Sequence, residues 1–237
     1  MTFDEAIDAV LTALDATRKP LAVVVAGHNG SGKSTLWRDK LSARFRIPLI
    51  NADRMMLSIL PEPDPRLPSW AQSLRDTDER WMRVAQLGVE AFTTHAMNNG
   101  LPFAFETVFS HWQPQAGGKP KSKIEKIERL QDAGYFVLLV FVGLISAELS
   151  IARVASRVAA GGHDVPQSKL RDRFGRTQAA IAAAREVADA TLMYDNSGDE
   201  TQAFTLAFAG LGKKTIFDVR GHRLVTAGLW LDKIVPI

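Results

Sequence analysis

The sequence predicts an α/β fold, a mostly parallel sheet with helices on both faces. Three observations carry this reading. Short, nearly continuous apolar runs such as "LAVVVAG" (21–27) and "YFVLLVFVGLI" (135–145) alternate with segments of helical period. Parallel strands covered on both faces read this way, whereas half-solvated strands alternate apolar with polar. The first run opens into a glycine loop, "GHNGSGKST" (27–35), and then a helical stretch. Finally, Gly27, Asp53 and Glu106 lie at or near the ends of three separate runs, where such sheets bind ligands.

The elements follow in order. Thr2 and Glu5 form a capping box for a first helix striped by Phe3, Ala6, Ile7, Val10, Leu11 and Leu14, which Pro20 ends. After the first strand a helix runs from about 33 to 44, and "IPLINAD" (47–53) is a second short strand. Four prolines make "PEPDPRLPSW" (61–70) a loop. A helix follows over about 78–98, and "PFAFETVF" (102–109) is a third strand with a glutamate near its end. Ser122 and Glu125 suggest another capping box, for a helix that Gly134 stops. The 135–143 run is the most hydrophobic strand, and Ile151, Val154, Ala155 and Val158 give the next helix its stripe up to Gly161-Gly162. A helix over 168–188 and the strand "ATLMYDNS" come next, and the tail reads as a small antiparallel hairpin over about 204–230. No repeat or linker divides the 237 residues, so one domain is expected.

Composition excludes several classes. There is no cysteine, hence no disulfide framework and no thiolate metal site. A formal charge of +3 does not by itself argue for nucleic acid. The N-terminal "MTFDEAIDAV" has three acids and no basic n-region, unlike a signal peptide. The longest apolar run is far short of the roughly 20 residues that cross a bilayer. A soluble cytoplasmic protein without a membrane partner is expected.

Residues 27–34 match G-x-x-x-x-G-K-[ST] in full, between a predicted strand and a predicted helix. That context is what the phosphate-binding loop requires. The expected fold is therefore of P-loop NTPase type, three layers with a helical lid, and ATP with Mg²⁺ is the expected ligand. Gly27, His28, Asn29, Gly30, Ser31, Gly32, Lys33, Ser34 and Thr35 would cradle the nucleotide, with Lys33 on the β- and γ-phosphates and Ser34 on Mg²⁺. The best candidate for a metal-orienting strand, 135–143, ends in "VGLIS" without an acid. The acids sit instead at Asp53 and Glu106, which suits transfer to a bound hydroxyl: one carboxylate takes the proton, the other holds the acceptor. Asp53 could also cap the helix that follows it, which is compatible with catalysis, and Glu106 could be a structural ion pair. "RVASRVAAGGHDVPQSKLRDRFGR" (153–176) carries arginines on two helical arms around a flexible turn. It reads as a lid whose arginines, Arg153 and Arg157 on one arm and Arg171, Arg173 and Arg176 on the other, neutralise a transferring phosphoryl group. Arg54 and His163 join Glu106 as candidates for the acceptor side.

With these residues in hand, the chain resembles the zeta-toxin group of P-loop kinases over about residues 20–197. The resemblance rests on "GHNGSGKST", "NAD", "FETVFS", and "R…GGHDVP…RF" followed by "YDNS". It implies ATP-dependent phosphoryl transfer to a hydroxyl of a small molecule, in several toxins a UDP-activated amino sugar. It also implies Asp53 as base, Glu106 and Thr107 at the acceptor, and Arg157 and Arg173 on the lid. An antitoxin-type protein partner is within its scope, although no antitoxin segment is visible within this chain. Two rival readings stay open: a nucleotide-binding regulator without transfer, and a kinase for nucleic-acid ends.

Overall fold

The computed structural model describes residues 1–62, 64, 66–113, 121–160, 162, 164–222 and 225–236. Helix α1 (Phe3–Thr17) starts at the expected capping box: Thr2 Oγ1 accepts from Glu5 N–H and Glu5 returns a bond to Thr2 N–H. Strand β1 (Leu21–Gly27) is buried throughout. The chain then enters α2 (Lys33–Leu36), a π-helical turn (Trp37–Leu41) and α3 (Ser42–Phe45) without leaving helical geometry.

Strand β2 is only Leu49–Ile50, not 47–53, because Asn51 turns the chain into α4 (Ala52–Ser58). The Asn51 side chain accepts from Arg54 N–H at 3.2 Å, so Asn51 is the N-cap and Asp53 lies in the first helical turn. The proline-rich stretch gives way at Ser69 to a short helix, α5 (Ser69–Thr77), which the sequence reading missed. Asp78 caps the long α6 (Glu79–Asn98). Strand β3 (Phe103–Thr107) carries Glu106 and Thr107 at its end. Trp112–Gln113 (β4) and Lys121–Ser122 (β5) make a two-stranded ladder before α7 (Ile124–Asp132). The Ser122–Glu125 capping box does not form: Ser122 sits in β5, and Lys123 occupies the N-cap position.

Strand β6 (Phe136–Gly143) is fully buried, followed by α8 (Ala147–Ala159), α9 (Gln167–Arg185) and β7 (Ala190–Asp195). The hairpin is β8 (Thr205–Leu211) with β9 (Lys214–Asp218). Residues expected to extend it towards 230 instead form α10 (Val225–Ile234). The single tryptophan of that helix, Trp230, is buried and donates to Asp195 at 2.8 Å. Its ring lies so close to Gly143 that a Cβ there would sit 2.5 Å away.

The seven-stranded sheet has the order β2-β3-β1-β6-β7-β8-β9, parallel from β2 to β7, with β8 and β9 antiparallel. Alternation divides its two faces. Ala22, Val24 and Ala26 pack with the buried residues of α7, α9 and α10, whereas Leu21, Val23 and Val25 pack with α1 and the α2–α3 helix. Helices therefore cover both faces, as the continuous apolar runs require. Among the described residues no helix is long and apolar enough to cross a membrane.

Candidate active site

The sheet order builds the site. β3 lies between β2 and β1, so the chain after Ile50, the end of β3 and the start of the glycine loop meet at one rim. Gly30 and Gly32 have φ of +69° and +91°, which only glycine adopts at little cost. Their surroundings are also full: a Cβ on Gly30 would lie 3.1 Å from Arg153 Cβ, and one on Gly32 2.7 Å from Asn196 Nδ2.

The loop is tied from three sides. Asn196 Nδ2 donates to the Ser31 carbonyl at 2.9 Å, and Ser150 Oγ donates to the Asn29 carbonyl at 2.7 Å. Lys33 is buried, and its Nζ donates to the carbonyls of Gly27 (3.2 Å) and His28 (2.8 Å). Burial lowers its pKa, the charges of Glu106 and Asp53 oppose that shift, and Arg157 adds to it. Four sequence-predicted residues thus share one electrostatic site.

Ser34 opens towards solvent, and its hydroxyl lies 3.0 and 2.8 Å from the two carboxylate oxygens of Glu106. Asn51 Nδ2 donates to the same carboxylate at 2.7 Å. Glu106 is therefore neither a lone buried acid nor one half of a simple ion pair. Its hard oxygens and the Ser34 hydroxyl make a donor set suited to Mg²⁺. Thr107, the next residue, bonds elsewhere: Lys123 Nζ donates to its hydroxyl.

His28 is buried, and its ring stacks on Phe174 of α9 with centroids 3.9 Å apart. Burial, and then the charge of Lys33, pulls its pKa down to about 3, so it stays neutral. Arg173, the neighbour of Phe174, is half-buried, whereas Arg157 on α8 is exposed. Asp53 and Arg54 are exposed on α4. Arg54 lines a cavity of ≈ 980 Å³ together with Leu57, Arg66, Gln72, Arg75 and Val158. His163 lies outside the described residues. Thr35 occupies the first turn of α2.

Sequence reasoning missed Asn51, Lys123, Ser150, Phe174 and Asn196. Asn51, Phe174 and Asn196 lie within the motifs "NAD", "RF" and "YDNS", and Asn51 also stands directly before a helix. Their partners lie across the fold, at sequence separations such as 165 residues for Asn196 and Ser31.

Comparison with known proteins agrees with this architecture. A family model described as zeta toxin matches residues 5–205. An uncharacterized protein of Haemophilus influenzae is 28% identical over 153 residues, which cover 65% of this chain and 91% of that protein. A structure from the PezAT chromosomal toxin–antitoxin system of Streptococcus pneumoniae superposes with a TM-score of 0.55. The two share 14% identity, over 100% of this chain and 90% of that one. A structure of AvrRxo1-ORF1:AvrRxo1-ORF2 with ATP gives 0.52 at 14% identity, over 98% of this chain and 69% of that chain.

Proposed function

The chain belongs to the zeta toxin family, and from that premise and the geometry of the rim we propose that it is an ATP-dependent kinase for a small-molecule hydroxyl. The observation that carries the reading is the carboxylate of Glu106, from β3, on the Ser34 hydroxyl of the phosphate loop, with the charges of Glu106 and Asp53 both bearing on Lys33. A regulator that merely held ATP with Mg²⁺ would need no second acid beside Glu106. A kinase needs one to take the proton of the attacking hydroxyl.

Each residue then has a task. The backbone N–H groups of residues 30–34 face the phosphates, and Lys33 exchanges its carbonyl partners for phosphate oxygens. Ser34 and Glu106 would hold Mg²⁺, which neutralises phosphate charge when bound. This moves Glu106 from the acceptor, where the sequence placed it, towards the metal. Asp53 accepts the proton of the acceptor hydroxyl. The hydroxyl oxygen forms its bond to the γ-phosphorus as the bridging P–O bond breaks, and ADP leaves with the electron pair. Arg157 and Arg173, on the two helices around the 160–166 turn, act as lid residues over the charge spread on the transferring group.

The cavity beside Arg54 is the acceptor's place in this reading. Its lining residues Arg54 and Val158 directly follow Asp53 and Arg157 in the sequence. Its size is at the upper end of small-ligand pockets, which leaves room for a sugar nucleotide. A UDP-activated amino sugar is accordingly the first acceptor to test. The PezAT resemblance likewise makes an antitoxin-type protein the first partner to seek, and the absence of cysteine suits a cytoplasmic enzyme. The test is incubation with γ-labelled ATP and Mg²⁺, with UDP-activated amino sugars and a metabolite extract as acceptors, followed by identification of the labelled product. A labelled phosphomonoester is expected. ATP binding without any labelled product from the extract would sink the kinase reading in favour of the regulator.

A further inference from the structure

Ten large apolar side chains among the described residues are exposed, and six of them gather on two neighbouring helices. Met55, Leu57 and Ile59 belong to α4 and its C-cap, and Val84, Leu87 and Phe92 to α6. The helices pack on each other where a Cβ at Gly88 would lie 2.9 Å from Met55 Cε. Leu57 lines the cavity already described. Helix α6 buries Ala85, Thr93 and Ala96. It turns Val84 and Leu87 outward, each more than half exposed, together with Ala91. Single exposed apolar residues are ordinary, whereas a patch drawn from two packed helices marks a docking surface.

The charges beside the patch say what covers it. Val84, Leu87 and Ala91 stand at i, i+3 and i+7, one stripe along the helix. Arg83 and Glu90 are exposed and lie two turns apart, so they flank that stripe on the same side. Leu87 falls between them, four residues after the arginine and three before the glutamate. Opposite charges therefore sit at nearly equal distances from the centre of the stripe. A twofold axis at Leu87 would run a second copy of α6 antiparallel and set leucine on leucine. Each Arg83 would then stand within one residue's rise, about 1.5 Å in height, of Glu90 on the other copy. A parallel pairing would oppose arginine to arginine and glutamate to glutamate, which repel. An anionic bilayer would meet the Glu90 carboxylate beside the apolar stripe and be repelled by it. Equal spacing about a centre is a requirement of self-contact, because an isologous interface must be complementary to itself.

We propose that the α4–α6 face is the interface of a symmetric homodimer, with α6 antiparallel to its copy about Leu87 and two Arg83–Glu90 pairs on the rim. The inference is independent of the kinase reading. The apolar centre supplies the affinity, since exposed ion pairs contribute little. The rim charges fix the direction and register by making the alternatives repulsive. Through Met55 the face is continuous with α4, the helix that carries Asp53.

The test is sedimentation of the full chain from low micromolar to roughly 100 μM, where an interface of modest size associates. The wild type is expected as a dimer at the upper end of that range. Leu87→Glu should raise the dissociation constant by about thirtyfold or more, the scale of a central hot spot. Arg83→Glu alone and Glu90→Arg alone should each weaken the dimer by about tenfold, because each sets two like-charge pairs on the rim. The two together exchange the partners and should return the constant to within about threefold of wild type, the departure from additivity that a contacting pair shows. All three side chains are exposed, so the variants should keep the wild-type circular dichroism. The charge exchange stays decisive even where Leu87→Glu does not fold. A wild type that is monomeric over the whole range would overturn the proposal. A dimer indifferent to Leu87→Glu would do the same by placing the interface elsewhere. Failure of the double variant to recover what the single ones lose would remove the antiparallel pairing. Binding of a monomeric wild type to phosphatidylcholine–phosphatidylserine vesicles would give the face to a membrane instead.

Discussion

The phosphate loop and the arginine-bearing helix pair α8–α9 face one crevice, and they are held in opposite ways. The loop hangs from a strand buried along its whole length, and side chains from α8 and from the end of β7 pin its carbonyls. The middle of the α8–α9 pair has only a small core of its own, Val154, Val165 and Leu170, and Arg157 projects into solvent. Further along, α9 joins the main core through Ala180, Ile181 and Ala184. Under the proposed function the difference divides the labour. A phosphate cradle works by preorganisation and must not reorganise during the reaction. A lid must open and close, so it is drawn from the weakly packed end of the fold.

If the rigid half of this comparison holds the chemistry, substitutions there should cost most. Asp53→Asn is expected to lower turnover by roughly 10²–10⁴-fold, the range of positioned acid–base catalysis. ATP affinity should barely move, since the loop is untouched. The structure sharpens this test: Asn51 is the N-cap, so asparagine at 53 removes no cap and stability should stay level. Turnover within about threefold of wild type, well below that range, would sink the base assignment. Lys33→Met should cost about 10²–10³-fold, as for other lost partners of transition-state charge, and weaken ATP binding as well. Both are read from steady-state kinetics once an acceptor is known, with ATP affinity measured directly.

A second break of the comparison runs through His28, where the two halves touch. Its ring is neutral in the fold because its pKa is held at about 3 against an ordinary 6.5. Between those values the unfolded chain binds a proton that the native one does not, so stability falls as pH drops through the window. At pH 5 the loss is about 2 kcal/mol, taking 1.36 kcal/mol per pKa unit over the 1.5 units below 6.5. His28→Phe keeps a flat ring against Phe174 and removes the proton site. Denaturation of the two proteins at pH 7 and pH 5 should show a smaller acid loss in the variant. Identical losses would mean that His28 is not shielded by this packing.

The same division explains what could be read before the structure. β1, β6 and β7 were legible because burial on both faces forces unbroken apolar runs, and the loop because its geometry admits few residues. The zeta-toxin resemblance likewise agrees with the family match. The misreadings occur where a tertiary contact decides. β2 stops at Ile50 because Asn51 serves Glu106 and caps α4 at once. The Ser122–Glu125 box fails because Ser122 is in a ladder with Trp112, and its hydroxyl accepts from Ile124 N–H at 3.2 Å instead of from Glu125 N–H. The sequence of α10 reads as hairpin because the segment from 225 to 234 is mostly apolar, and such a run does not distinguish strand from buried helix. The roles of Asn196 and Lys123 depend on partners that sequence spacing does not bring together.

The smallest effect tests the other half of the comparison. If α8–α9 is a lid, its amides in the 153–176 segment should exchange faster than those of β1 and β6 in the free protein. Addition of Mg²⁺ and a non-hydrolysable ATP analogue should slow them by about tenfold, or 1.4 kcal/mol of local stability. The helix end gives the reason for placing the motion there. α8 finishes with Gly162 N–H donating to the Arg157 carbonyl at 2.9 Å, and a Cβ at Gly162 would lie 2.6 Å from Arg157 Cγ. Gly162 is therefore held against the very arginine that closure would deliver to the phosphates. Gly162→Ala should crowd that side chain and reduce the nucleotide-dependent protection, while exchange in the central strands stays as in wild type. Equal exchange across 153–176 with and without nucleotide would make the pair a fixed basic face, and the division between rigid cradle and moving lid would fall with it.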